Sequence, residues 1–296
     1  MTTHSSAARE TLETELAALR PRLHRYCARM TGSVIDGEDV VQEALIKAFE
    51  ALPGPGTIGH LESWLVRIAH NAALDFLRRR ARRDALLSDE DPDMIIDPTP
   101  TPAEREAAAA SLTTFMHLPI TQRSSVILMD VLGYSLEEIT AITGSSVPAI
   151  KAALHRGRAR LQHLANQPDD GPPPVLGESA RAQLAAYIDR FNARDFDALR
   201  DMLAGEVQLD LVNRVRLKGR TEVSTYFGRY GSNTGWKLVP GLVERRPAAL
   251  VLDPADPHGA PLYFILLEWS AAEVSYIRDF RYARYVTESA QWTVSR

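Results

Sequence analysis

Between residues 146 and 158 the chain places Ser146, Lys151, His155, Arg156 and Arg158 within a short helical span. Lys151, His155 and Arg158 stand at i, i+4 and i+7 and so share one helix face. Such a face suits nucleic acid, because arginine can bond a guanine edge through two donors and both cations bind phosphate. It equally suits a solvated helix end, where positive charge offsets the dipole. A second basic run, Arg78, Arg79, Arg80, Arg82 and Arg83, follows His70 and Asn71, whose side chains can bond base edges. Catalytic chemistry is less clearly written. Asp210 with Tyr187 or Tyr282 has the residue types for proton transfer, yet no distinctive acid–base pair stands out. His24 and Cys27 lack the second Cys/His pair that a tetrahedral metal site needs, and no phosphate-cradling glycine loop is written. No metal, cofactor or catalytic residue is expected.

Helices must position these groups. Leu12, Leu16, Leu19, Leu23, Tyr26 and Met30 alternate in steps of four and three, which predicts one long helix over 7–31. A second begins after Asp36, with Val40, Val41, Ala44, Leu45, Ala48 and Phe49 inward, and "PGPG" ends it. A third runs over 61–83 and is expected to bury Trp64, Ile68, Ala72 and Phe76. Acidic "SDEDPDMIID" and "DPTPTP" then read as a linker. Helical patterning resumes over 103–117 and 121–132. Ser135 and Glu138 predict a capping box, Gly144 a turn, and Ser145 or Ser146 the cap of the next helix, which buries Val147, Ile150, Leu154 and Leu161. Helix, glycine turn, helix is the shape of a helix-turn-helix. Proline-rich "NQPDDGPPP" marks a second linker, after which helices give way to alternating segments such as "VQLDLVN" and "LYFILLEW".

Composition sets bounds. The chain has 296 residues, a net charge of −4, 45% hydrophobic residues and a single cysteine. These values suggest a multidomain, soluble protein of the cytoplasm without an intrachain disulfide, and no stretch of the sequence reads as a membrane span.

Two stretches carry a resemblance. "DGEDVVQEALIKAFEAL" with "ESWLVRIAHNAALDFLRRRARR", and "LPITQRSSVILMDVLGYSLEEITAITGSSVPAIKAALHRGRARL", resemble regions two and four of extracytoplasmic-function RNA polymerase sigma factors. The resemblance implies a promoter-specificity subunit without catalysis of its own, whose partners are RNA polymerase core and promoter DNA. It implies that Asp39, Gln42, Glu43, Leu45 and Phe49 face the polymerase clamp. His70, Asn71 and the five arginines from Arg78 to Arg83 would meet the melted downstream (−10) element. Ser146, Lys151, His155, Arg156 and Arg158 would meet the upstream (−35) element. The loop before the third helix, "GPGTIG", lacks the aromatic that relatives often carry there; the acidic linker suits a plain solubilising spacer or, as the resemblance implies, a path along the RNA exit channel.

From about residue 178, "AAYIDRFNARDFDALRDMLAGEVQLDL", "VRLKGRTEVSTYF" and "IRDFRYARYV" are similar to the SnoaL-like branch of the nuclear transport factor two-like fold. The expected architecture is therefore multidomain. A three-helix region two (1–84) and a linker (85–102) precede a region-four helix-turn-helix domain (103–165). A second linker (166–177) leads to an α+β, cone-shaped SnoaL-like domain (178–296). That last domain is expected to tune the sigma regions, with Asn213, Arg214, Trp236 and Arg281 as candidates for a docking surface. Two rival readings are a helix-turn-helix regulator acting without polymerase, and a ligand-binding or isomerase-type enzyme with DNA-binding helices attached.

Overall fold

The computed structural model describes residues 3–51, 60–85, 111–165, 176–231 and 235–295. The loop before the third helix, the acidic linker, residues 103–110 and the proline-rich linker lie outside these. The chain divides into a helical unit, 1–170, and an α/β unit, 171–296.

In the helical unit α1 spans Thr3–Thr31, α2 Val34–Glu50 and α3 Leu61–Ala85. Ser33 starts α2 by accepting a hydrogen bond from the Asp36 amide at 3.1 Å, satisfying one of the donors that a helix start leaves open. Short α4 (Leu112–Met116) and α5 (Ile120–Val126) follow, and α5 runs on into a π turn, Ile127–Val131. The expected capping box is present. Ser135 Oγ accepts from the Glu138 amide at 3.2 Å, Glu138 accepts from the Ser135 amide at 2.8 Å, and α6 occupies Leu136–Thr143. Gly144 ends α6 at φ +72°, a conformation that a side chain disfavours, and α7 then spans Val147–Ala165.

Both helical segments contribute to one apolar core. Tyr26 and Met30 of α1, Val41 and Ala44 of α2, and Leu65 and Ala69 of α3 pack in the same cluster as Phe115, Ile127, Ile139, Ile150 and Leu161. Two expectations are corrected. Trp64, Ile68 and Phe76 only edge the core, while Leu65, Val66 and Ala73 fill it, so α3 is rotated by about one residue from its expected face. Phe49 is 39% exposed rather than inward. Gly157 explains how α7 lies so close to α5: a Cβ there would stand 2.8 Å from Val126 Cγ2.

The α/β unit opens with α8 (Glu178–Asn192) and α9 (Phe196–Asp201), then β1 (Leu203–Leu211), β2 (Val215–Lys218) and α10 (Arg220–Gly231). Strands β3 (Lys237–Val243), β4 (Arg246–Leu252), β5 (Tyr263–Ser270) and β6 (Glu273–Asp279) follow, and α11 (Arg284–Glu288) precedes β7 (Trp292–Val294). They form a seven-stranded sheet in the order β2-β1-β6-β5-β4-β3-β7, antiparallel except for the β1–β6 pair. Alternation along each strand sends Val207, Leu209, Leu211, Ile265 and Ile277 to the face covered by Leu184, Ile188 and Phe191 of α8 and Val223 and Phe227 of α10. This is the expected α+β architecture.

Candidate nucleic-acid interface

Core packing decides which side chains of α7 remain outside. Ile150, Leu154 and Leu161 are buried; Ser146, Lys151, His155 and Arg156 are exposed on the opposite side. Ser146 also caps the helix, its Oγ accepting from the Ala149 amide at 3.4 Å. Arg158, expected beside them, has another task. Its Nε bonds Asp130 Oδ2 at 2.9 Å, its Nη2 bonds Oδ1, and the Asp130 side chain is completely buried in the π turn. A fork–fork pair to a buried carboxylate fixes Arg158 as a strut between the π turn and α7.

On α3 the expected residues separate in the same way. His70 is buried, with its Nδ1 2.6 Å from the Tyr26 hydroxyl, and burial lowers its pKa to about 4. A neutral core imidazole cannot meet DNA, so this expectation is corrected. Asn71 is exposed. Arg78 pairs with Asp75 at 3.1 Å, and Arg79 with Glu43 at 2.6 Å. Arg80 reaches the Thr31 carbonyl at 3.3 Å and lies 3.7 Å from Asp36. Arg82 and Arg83 are exposed and form no ion pair among the described residues.

On α2, Leu45 is buried in the core, as its place in the apolar stripe predicts and unlike the clamp contact that the resemblance implies. Asp39 is exposed and Gln42 half-buried, and the same face carries Ile46 at 53% exposure and Phe49. Spacing of 3, 4 and 3 puts these four on one stripe. Ile46 was missed because its neighbour Leu45 fits the apolar period equally well; only packing shows which of the two turns out. Glu43 is half-buried and bonds Lys47 at 2.8 Å as well as Arg79. Burial alone would push its carboxyl up, but bonds from Lys47 and Arg79 outweigh this and hold it below the ordinary range.

Three contacts tie α1 and α3 to the later helices. Arg123 is buried, and its guanidinium donates to the carbonyls of Met30 at 2.6 Å, Leu118 at 2.9 Å and Met116 at 3.1 Å. Desolvation lowers its pKa to about 10. Glu62 takes an ion pair from Arg22 at 2.6 Å and a hydrogen bond from the Tyr134 hydroxyl at 2.6 Å. Arg22 also donates to the Leu132 carbonyl at 2.6 Å and stacks 5.0 Å from the Tyr134 ring.

In the α/β unit the imagined proton-transfer group does not assemble. Asp210 lies on the outer sheet face, 3.5 Å from both Arg278 and Arg216. Tyr187 is fully buried on the inner face, and Tyr282 is exposed beneath Arg214. Trp236 is buried among Phe191 and Tyr230, so it is no docking residue. Asn213 instead bonds the Tyr282 carbonyl at 3.2 Å. A carboxyl group that sequence reasoning missed, Asp279, sits within a ring of tyrosines. Tyr226 and Tyr230, at i and i+4, were its one legible signal. On the outer face Gln208, Asp210, Arg216, Lys218 and Glu268 line a cavity of about 660 Å³ with mixed charge. Among the described residues no group of three His, Cys, Asp or Glu could hold a metal, and no helix is long and apolar enough to cross a membrane.

Comparison with known proteins agrees with this division. Residues 16–83 match the Sigma-70 region 2 family and residues 112–161 the Sigma-70, region 4 family. The chain is 28% identical to the ECF RNA polymerase sigma factor SigG of Mycobacterium tuberculosis, over 88% of this chain and 78% of that one. It is 35% identical to SigM of the same organism, over 48% of this chain and 71% of that one. Among solved structures it resembles the sigma factor RpoE of Bartonella quintana, crystallised with the anti-sigma factor NepR. That likeness has 25% identity and a TM-score of 0.42 over 55% of this chain and 99% of that one. With two sigma regions in order, and with relatives of this identity and coverage, the chain belongs to the extracytoplasmic-function family of RNA polymerase sigma factors.

Proposed function

We propose that the helical unit joins RNA polymerase core through α2 and promoter DNA through α3 and α7. The observation that carries this reading is the α2 stripe of Asp39, Gln42, Ile46 and Phe49. Two large apolar side chains stay in water there although the core beneath them is complete, as at a protein interface. On α7, Lys151, His155 and Arg156 supply the contacts to the upstream element, with Ser146 at the helix start. On α3, Asn71 offers an amide to an unstacked base, and Arg78, Arg82 and Arg83 face backbone phosphates. Arg79 and Arg80 act mainly through Glu43, Thr31 and Asp36, setting the junction of α2 and α3.

Run-off transcription with purified core polymerase and a genomic promoter library tests the proposal. Start sites that need both proteins are expected, and the pair Ile46→Ser and Phe49→Ser should weaken core binding at least tenfold. Unchanged core affinity in that variant would remove α2 as the contact. The α/β unit is proposed to tune this activity. A chain ending near residue 166 should differ from the full chain in transcription or promoter affinity; equal output on both measures removes the tuning role.

A further inference from the structure

Two turns meet at one end of the sheet: the one joining β1 to β2, and the one that leaves β6 for α11. The Val212 amide donates to the Asp279 carbonyl at 3.0 Å, and Asn213 Nδ2 donates to the Tyr282 carbonyl and the Tyr285 hydroxyl, each at 3.2 Å. These bonds hold the turns together as one platform. Three arginines stand on it, each with its guanidinium over a tyrosine ring: Arg214 4.5 Å from Tyr282, Arg281 4.9 Å from Tyr230 and Arg284 6.0 Å from Tyr263. Arg214, Tyr282 and Arg284 are exposed, and Arg281 is half-buried. Among the described residues none of the three arginines forms an ion pair, whereas other cations of the unit do: Arg216 and Arg278 with Asp210, Lys218 with Glu206 and Arg220 with Glu273. Asp279, whose charge Arg281 feels, is fully buried and takes its hydrogen bonds from Tyr226, Tyr230 and the Arg281 amide. A guanidinium held by its face keeps the N–H groups along its edge for an acceptor from outside.

We infer that this platform binds single-stranded nucleic acid. The arginine edges take backbone phosphates, and the stacked pair of Arg214 and Tyr282 offers a plane on which an unpaired base stacks. A duplex hides the faces of its bases, and an acidic peptide carries none, so either would use the charges alone. The site goes beyond the tuning role proposed for the α/β unit and rests on none of the contacts proposed for α2, α3 or α7.

Fluorescence anisotropy of the full chain with short oligothymidine tests it, beside oligouridine, a duplex of mixed sequence and polyglutamate. The background is Arg78→Ala with Arg82→Ala and Arg83→Ala, which removes the phosphate contacts proposed for α3. In it, Arg214→Gln with Arg281→Gln and Arg284→Gln should weaken oligothymidine binding about tenfold or more and lower the salt slope by about two counterions. Tyr282→Ala should cost about tenfold, while Tyr282→Phe, which keeps the ring, should bind as the background does. In the unaltered chain, 5-iodouracil placed in the strand should cross-link to Tyr282. Oligouridine tells RNA from DNA as the strand, and patch-dependent binding of either supports the site. The site is overturned if the triple glutamine variant binds oligothymidine unchanged, or if it loses duplex or polyglutamate affinity as strongly as oligothymidine affinity. Cross-links confined to the helical unit overturn it too. Failure of transcription with core polymerase alongside the expected binding results would strike the proposed function and leave this site standing.

Discussion

The helical unit and the α/β unit bury polar groups to different ends. In the helical unit each buried charge ties together segments far apart in the chain: Arg123 to the Met30 carbonyl, Asp130 to Arg158, and Glu38 to Arg20 at 3.2 Å. In the α/β unit a fully buried carboxyl group is answered by neutral phenols and a backbone amide. The lesson is that a buried polar group can tie distant segments of the chain by its charge or settle into a cluster of neutral donors.

The comparison can be broken most directly at Arg123. Arg123→Ala leaves three carbonyls without their donor and should cost the helical unit about 3 kcal/mol or more in urea unfolding, with hydrogen exchange in the α/β unit unchanged. Acid should separate the units next. His70 has a folded pKa of about 4 against an ordinary value of 6.5, so between those values the unfolded chain holds a proton that the folded chain does not. Stability of the helical unit therefore falls as the pH drops through that window, with His70 contributing on the order of 3 kcal/mol; His70→Gln should remove that share, while His24, whose pKa burial also lowers, keeps a slope of the same sign. Asp279 acts with the opposite sign. Burial raises its pKa above 3.8, although Tyr230 and Tyr226 counter this, so its contribution favours the fold at low pH and is lost as the pH rises through its folded value. Hydrogen exchange followed by mass spectrometry across pH should show the helical unit loosening first in acid.

A smaller effect is expected at Asp130→Asn, which leaves Arg158 without its carboxylate: about 2 kcal/mol, confined to α5 and α7. Smallest for stability is Lys151→Ala, within about 0.5 kcal/mol. That change should nevertheless lower the salt dependence of promoter binding by about one counterion. A loss of stability at Lys151 matching that at Asp130 would erase the distinction between fastening and free cations.

Periodicity and capping chemistry made the helices legible: the steps of the α1 stripe, the Ser135–Glu138 box and the glycine that ends α6 are each signals formed by residues a few positions apart. The exposed face of α7 was legible for the same reason. Arg158 was not, because its partner Asp130 lies 28 residues away and on another turn. His70 was misread, and Phe49 was placed inward, because a single step along a helix swings a side chain by about 100° and the core decides which neighbour turns inward. For Asp279 the i, i+4 pair Tyr226 and Tyr230 is the single local signal. Its surroundings exist only once α8, α10 and the parallel β1–β6 pair have been assembled.

The common core of the two sigma regions has a consequence for reach. A compact unit of about 170 residues has a radius of gyration of about 15 Å. Promoter elements named for positions −35 and −10 lie about 25 base pairs apart, or ~85 Å of duplex. On the contacts proposed for α3 and α7, a chain fastened by Arg123, Arg22 and Tyr134 would reach one element or the other. Spanning both, on that proposal, would require those ties to open.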